Sequence, residues 1–399
     1  MSEFTNHKAH RVAKLVELFQ LVISGEMNSG RVAGYQQVID LAGPSDVIAV
    51  VDQLVQLQIP MPELKRGINK ALNLLNKSLQ EFPYTAPDSG SFLHALIQNN
   101  EQIDLRLKTI RPLLTAINRN RPDPTLRNEL KEKLDDISRI DLHYQIKENV
   151  LFPLIEKYLP DYRCLQVMWS FHDDIRRNLK VAIGLLADED FDLKKFNRLV
   201  GDLFFNIYAI KFREEHILFP IISEQIPENE LNSLIGESLE IGFPFVQPET
   251  LEQKKLLNTT EISGEIDLKT GYLSAEQIRL VFNHLPVDIT YVDENNQVKF
   301  FSTPEKRIFR RTNSIIGRDV KNCHPHESVH VVEQIVEAFR KSEKDKASFW
   351  IQMKGEMILI QYFAVRDEEG NYRGVVEVSQ EITEIRNIEG EKRLLDWTH

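Results

Sequence analysis

Two stretches constrain this chain more than any others: His143-Tyr-Gln-Ile-Lys-Glu-Asn-Val-Leu-Phe-Pro153 and Lys211-Phe-Arg-Glu-Glu-His-Ile-Leu-Phe-Pro220. Each comes late in a long segment of helical periodicity and runs a charged cluster into the same Leu-Phe-Pro. Carboxylates and histidines there share the chain with apolar residues that must face a helix-bundle core. Ionisable groups on such faces are costly unless they pair with each other or hold a cation.

The rest of the sequence narrows the class. At 399 residues the chain is too long for one ordinary core. Hydrophobic content of 42% and charged content of 27% describe a globular protein. A net charge of −11 argues against a nucleic-acid surface. No apolar run approaches the ~18 residues of a membrane span, and the N-terminal sequence lacks a signal-peptide pattern. Cys164 and Cys323 lie far apart, which fits a reducing cytoplasm rather than a disulfide framework.

Periodicity divides the chain into an all-α N-terminal unit over residues 1–85, an up-down four-helix bundle over 88–226, a linker over 227–275 and an α+β domain over 276–388. A helical tail over 389–399 closes it. The bundle helices are expected over about 92–118, over about 125–158, from after Pro160-Asp161 through Leu186, and over about 193–225. In the α+β domain, strands are expected at 288–293, 298–301, 349–353, 357–365 and 373–382, with a helix at 328–342.

Helical spacing places His94, Glu101, His143, His172 and Glu214 inward, with Glu148, Glu215 and His216 flanking. Glu148 follows His143 by five residues, about 140° around a helix, and a π turn would bring it inside. Imidazole and carboxylate together suit iron, manganese or zinc. The competing reading is metal-free: Lys147 stands where a carboxylate would bridge and would instead pair with Glu214.

Residues 92–225 resemble the hemerythrin-like HHE cation-binding family, whose helices show His-x-x-x-Glu-Glu-x-x-Leu-Phe-Pro. His143, Glu148 and Leu151-Phe-Pro153 match, and Trp169-Ser-Phe-His172 resembles the third-helix histidine. Lys147 and Ile210 depart from the family pattern. The resemblance implies a non-haem iron site, mono- or di-iron, drawn from His94, His143, Glu148, His172, Glu214 and Glu215, with oxygen or nitric oxide as ligand.

The C-terminal segment resembles a PAS domain through His284-Leu-Pro286, Ile316-Gly-Arg318 and Glu381-Ile-Thr-Glu-Ile385, with Asn322-Cys-His-Pro-His-Glu-Ser-Val-His330 akin to PAS domains fused to such bundles. Residues 1–85 resemble the helical domain of unknown function that precedes them. Cys323, His324 and His330 would be the ligands if the PAS cavity held haem. The sequence shows no nucleophile elbow, P-loop or kinase signature. The expectation is a cytoplasmic sensor or regulator, homodimeric through its PAS domain and acting on an effector protein. An enzyme that reduces nitric oxide or peroxide, or donates iron for repair, is one alternative. A haem-binding PAS sensor with a metal-free bundle is another.

Overall fold

The computed structural model describes residues 2–119, 124–188, 190–248, 265–324 and 326–393. The chain forms two compact units, 1–253 and 254–399.

The first unit is helical throughout. Its leading helices are α1 (Ser2–Ile23), α2 (Pro44–Gln56) and α3 (Met61–Gln80), with short turns between 29 and 40. Asp46 fixes the start of α2 by accepting from the Gly43 amide at 3.0 Å while Arg11 on α1 grips it at 2.8 and 3.0 Å. Gly67 lets α1 and α3 touch, since a Cβ there would lie 2.1 Å from the Ile23 side chain.

The bundle follows: α4 (Phe92–Arg119), α5 (124–158), α6 (Cys164–Ala187) and α7 (193–225). Two of these helices are interrupted by π turns, Lys147–Leu151 in α5 and Glu214–Leu218 in α7. In each the next residue closes an i→i−5 bond, Phe152 N–H to Lys147 O and Phe219 N–H to Glu214 O. Pro153 and Pro220 come one residue later. A proline lacks an N–H and crowds the carbonyl four residues back, and the wider turn absorbs both defects. The paired Leu-Phe-Pro endings are thus the local cause of the π turns.

Residues 1–85 do not stand apart from the bundle. One apolar core runs from Val12 to Phe243. Lys65 on α3 donates to Ser170 Oγ on α6 at 2.8 Å, and Arg163 binds Asp52 on α2 at 3.0 Å. The proline- and glycine-bearing run at 86–91 is a turn within one core, because the apolar faces of α2 and α3 need the bundle to cover them. The expected linker is also partly structured. Leu231, Leu234 and Ile241 give 228–241 an apolar stripe, and it forms α8 (Glu228–Ile241). The chain beyond is pinned by Asn99, whose amide donates to Val246 O at 2.9 Å and accepts from Phe245 N–H at 3.0 Å.

The second unit opens with a hairpin, β1 (Glu265–Asp267) and β2 (Tyr272–Ser274), inside the range expected to be linker. A Ser274–Gln277 capping box then starts α9 (Ala275–His284). A five-stranded antiparallel sheet in the order β4-β3-β7-β6-β5 is built from β3 (Asp288–Asp293), β4 (Val298–Phe301), β5 (Lys346–Met353), β6 (Glu356–Arg366) and β7 (Tyr372–Glu381). Helix α10 (His326–Arg340) precedes β5. Gly374 pairs with Asp293, at φ +129°, and a Cβ there would lie 2.0 Å from Val292 O.

The helical tail is not found in the described residues. A single 3-10 turn, Ile385–Asn387, is followed by irregular chain, with Gly390 at φ +66°, and 394–399 lie outside the described residues. No helix among the described residues is long and apolar enough to cross a membrane.

Candidate functional site

The two π turns face each other across the bundle. Lys147, first residue of the α5 turn, and Glu214, first residue of the α7 turn, are both fully buried and form an ion pair. Glu214 Oε2 also accepts from Asn100 Nδ2 at 3.1 Å, and Glu215 Oε1 accepts from the same nitrogen at 3.2 Å. That arrangement turns the Asn100 carbonyl oxygen to His143, whose Nε2 donates to it at 2.9 Å.

A second network lies beside the first. His172 Nδ1 donates to Glu148 Oε1 at 2.8 Å, and Arg176 clamps both oxygens of Glu148 at 2.8 and 3.0 Å. The π turn does carry Glu148 inside, where only 4% of it is exposed. Tyr144 separates the two networks. Its ring stacks on His172 at 4.0 Å, lies 6.4 Å from His143, and receives the Lys147 ammonium 4.7 Å above it.

Burial sets the protonation of this core. It holds His143 and His172 well below the usual imidazole value, with the Lys147 charge adding to the effect. Both rings are therefore neutral, and their hydrogen bonds fix the tautomers. His143 carries its proton on Nε2 and His172 on Nδ1. The remaining nitrogens, His143 Nδ1 and His172 Nε2, are buried lone pairs without a partner among the described residues. Burial also lowers the Lys147 pKa and raises that of Glu148, against the pull of Arg176. The less buried Glu215 is pushed up to about 7 by the same cause.

The structure separates the sequence-predicted ligands. His143, Glu148, His172, Glu214 and Glu215 gather in or beside the core; His94 does not. It sits half-buried in the first turn of α4, its backbone N–H on Ser91 Oγ at 3.2 Å. The inward stripe of α4 is Leu96, Asn100, Ile103, Leu107 and Ile110, leaving Glu101 and Leu105 outside. Apolar residues won the face, since burying Glu101 would have needed a partner. His216 lies on the outer side of α7 against Phe212.

Asn100, Tyr144 and Arg176 were missed as site residues. Arg176 was legible, standing four residues after His172 on one helix face. Asn100 carried a weaker signal, as half of an Asn99-Asn100 pair inside an otherwise apolar stripe.

As arranged, these residues do not gather into the mono- or di-iron site that the family resemblance implies. Among the described residues no group of three or more His, Cys, Asp or Glu side chains could hold a metal ion. The charges explain why: Lys147 and Arg176 already balance Glu214 and Glu148, so an added divalent cation would bring uncompensated charge into a buried site.

In the second unit the expected haem ligands are not brought together. Cys323 is buried among Val292, Val298 and Ile315, with its thiol on Asp319 O at 3.7 Å. His324 is half-buried, and His330 is exposed on α10. A helix starting at His326 turns His330 outward.

Comparison with known proteins agrees with the fold. A family model described as "Hemerythrin HHE cation binding domain" matches residues 91–222, and one described as "PAS domain" matches 278–383. No curated protein matches the chain. Among solved structures, a C-terminal domain from Streptococcus mutans is 33% identical with a TM-score of 0.31, covering 32% of this chain and 98% of that one. A sensory box sensor histidine kinase from Vibrio cholerae is 12% identical with a TM-score of 0.21, covering 27% of this chain and 89% of that one. A PAS domain of a protein from Colwellia psychrerythraea is 17% identical with a TM-score of 0.22, covering 27% of this chain and 97% of that one. Residues 91–222 are thus similar to hemerythrin HHE cation-binding domains and residues 278–383 to PAS domains, and the chain carries the two segments in that order.

Proposed function

We propose that this chain is a regulator whose hemerythrin-type bundle has replaced the metal charge of its core with the Lys147 ammonium and the Arg176 guanidinium. The PAS domain reads the state of that bundle and passes it to an effector protein. The observation that carries the reading is the fully buried Lys147–Glu214 pair, set where the two π turns meet. A buried ammonium on a carboxylate supplies the positive charge that the carboxylate needs to stay ionised. Asn100 then orients His143, and Glu148 orients His172, without a central ion.

A second reading keeps iron as the cofactor and oxygen or nitric oxide as the ligand. It is favoured by the lone pairs on His143 Nδ1 and His172 Nε2, each on a ring whose other nitrogen is held by a hydrogen bond, as metal-binding imidazoles are. Metal content of the purified protein before and after anaerobic incubation with ferrous iron separates the two. The first reading predicts substoichiometric iron in the native chain and a gain on Lys147→Glu.

Self-association belongs to the same proposal. Edge strand β5 exposes Phe349, Trp350 and Ile351 in succession, with Trp350 69% exposed. An unpaired edge carrying large apolar groups is a surface that a second copy would cover.

A further inference from the structure

The inner face of the second unit's sheet carries charge where an apolar core is expected. Val375 on β7 packs with Val332, Val336 and Phe339 of α10, so α10 lies over that face. Alternate strand residues share a face, which puts Glu377 and Ser379 on it as well. The register carries the row across the sheet, with Glu377 opposite Thr290 on β3 and Tyr362 on β6. Glu377 therefore stands on the middle strand of the five, on its covered side.

The Glu377 carboxylate is incompletely matched there. It accepts from Ser379 Oγ at 3.4 Å and forms no ion pair among the described residues. Arg311 likewise forms no ion pair among them, and its Nε is without a hydrogen-bond partner. Two rings are neighbours of both charges, since Tyr362 and His324 each feel Glu377 and Arg311. Burial pushes the Tyr362 hydroxyl up and the His324 ring down, yet all four residues keep accessible surface. Enclosed groups that still offer surface line an internal space. The neighbouring charges are already satisfied: Arg307 faces Asp288 at 3.8 Å and donates to Thr290 Oγ1 at 3.3 Å.

We infer that this space binds a free α-amino acid, with its carboxylate on Arg311 and its ammonium on Glu377. A ligand of single charge satisfies one group and leaves the other enclosed and unmatched. An α-amino acid carries both charges on one carbon and none in sum, which suits a site whose own two charges cancel. Arg311 offers a planar fork shaped for a carboxylate, and the Glu377 oxygens accept from an ammonium. The Tyr362 hydroxyl and the His324 ring remain to meet further polar groups of the ligand. Binding depends on nothing in the bundle core, so it stands apart from the role given to Lys147.

The test is calorimetric titration of the full chain with each of the standard amino acids, then with the N-acetyl and methyl-ester derivatives of the tightest binder. Saturable binding of at least one amino acid is expected. Each blocked derivative lacks one of the two charges and is expected to bind tenfold or more weakly, a loss of about 1.4 kcal/mol. Glu377→Gln keeps the shape of the side chain and removes its charge, and it is expected to lower affinity by the same factor with native circular dichroism. Should that variant fail to fold, the blocked derivatives carry the test on the native chain. No saturable binding of any amino acid, a blocked derivative that binds as tightly as its parent, or unchanged affinity in folded Glu377→Gln overturns the inference.

Discussion

Lys147 and Glu214 open the two π turns of the bundle and meet as an ion pair with no exposed surface on either side chain. Breaking one side strands a buried charge, whereas replacing both with apolar groups need not destabilise. Lys147→Met is therefore expected to lower unfolding free energy by about 3–5 kcal/mol, and Lys147→Met with Glu214→Leu to recover most of it. Urea denaturation of the two variants checks this, with equal losses in both counting against an ion pair.

The neutral histidines predict a pH dependence. His143 and His172 bind protons well below 6.5 when folded, so the unfolded chain takes up protons first as pH falls. Stability then drops on acidification from about pH 7 to pH 5, by up to about 1.4 kcal/mol per pH unit for each ring. Glu148 acts in the other direction: its raised folded value makes its contribution shrink as pH rises above its unfolded 4.5. Denaturation curves across this range should show a shallower slope for His143→Gln than for the native chain.

Why some of this was legible and some not has physical causes. The bundle helices and the five sheet strands follow from apolar periods of 3.6 and 2, and their ranges lie close to those read from sequence. Lys147 against Glu214 was readable too, because both fall on inward stripes. The phase of α4 was not: His94 and Glu101 define one face and Leu96, Ile103 and Leu107 another, and only the cost of burying Glu101 decides between them. Nor does local sequence tell whether 227–248 packs on the bundle, since that depends on Asn99 reaching Phe245 and Val246.

Gly374 gives a prediction for the sheet. Its positive φ and the 2.0 Å approach to Val292 O leave no room for a side chain. Gly374→Ala should destabilise the second unit by about 2–4 kcal/mol. Hydrogen exchange would reveal it as faster exchange of the β3 and β7 amides, with the bundle helices unchanged.

The exposed β5 edge predicts the assembly. Sedimentation of the native chain at micromolar concentration should show a dimer, and Trp350→Lys should yield a monomer with unaltered helicity. A native chain that stays monomeric throughout would refute this role for β5.

Metal content bears most directly on the claim that Lys147 supplies the core's missing charge. The measurement is iron per chain, after chelation and after anaerobic reconstitution with ferrous iron, for native protein and Lys147→Glu, paired with the unfolding free energy of each. The account predicts little iron and unchanged stability in the native chain under both treatments, with Lys147→Glu gaining iron and becoming dependent on it. Stoichiometric iron in the native chain, with loss of stability on chelation, would contradict it.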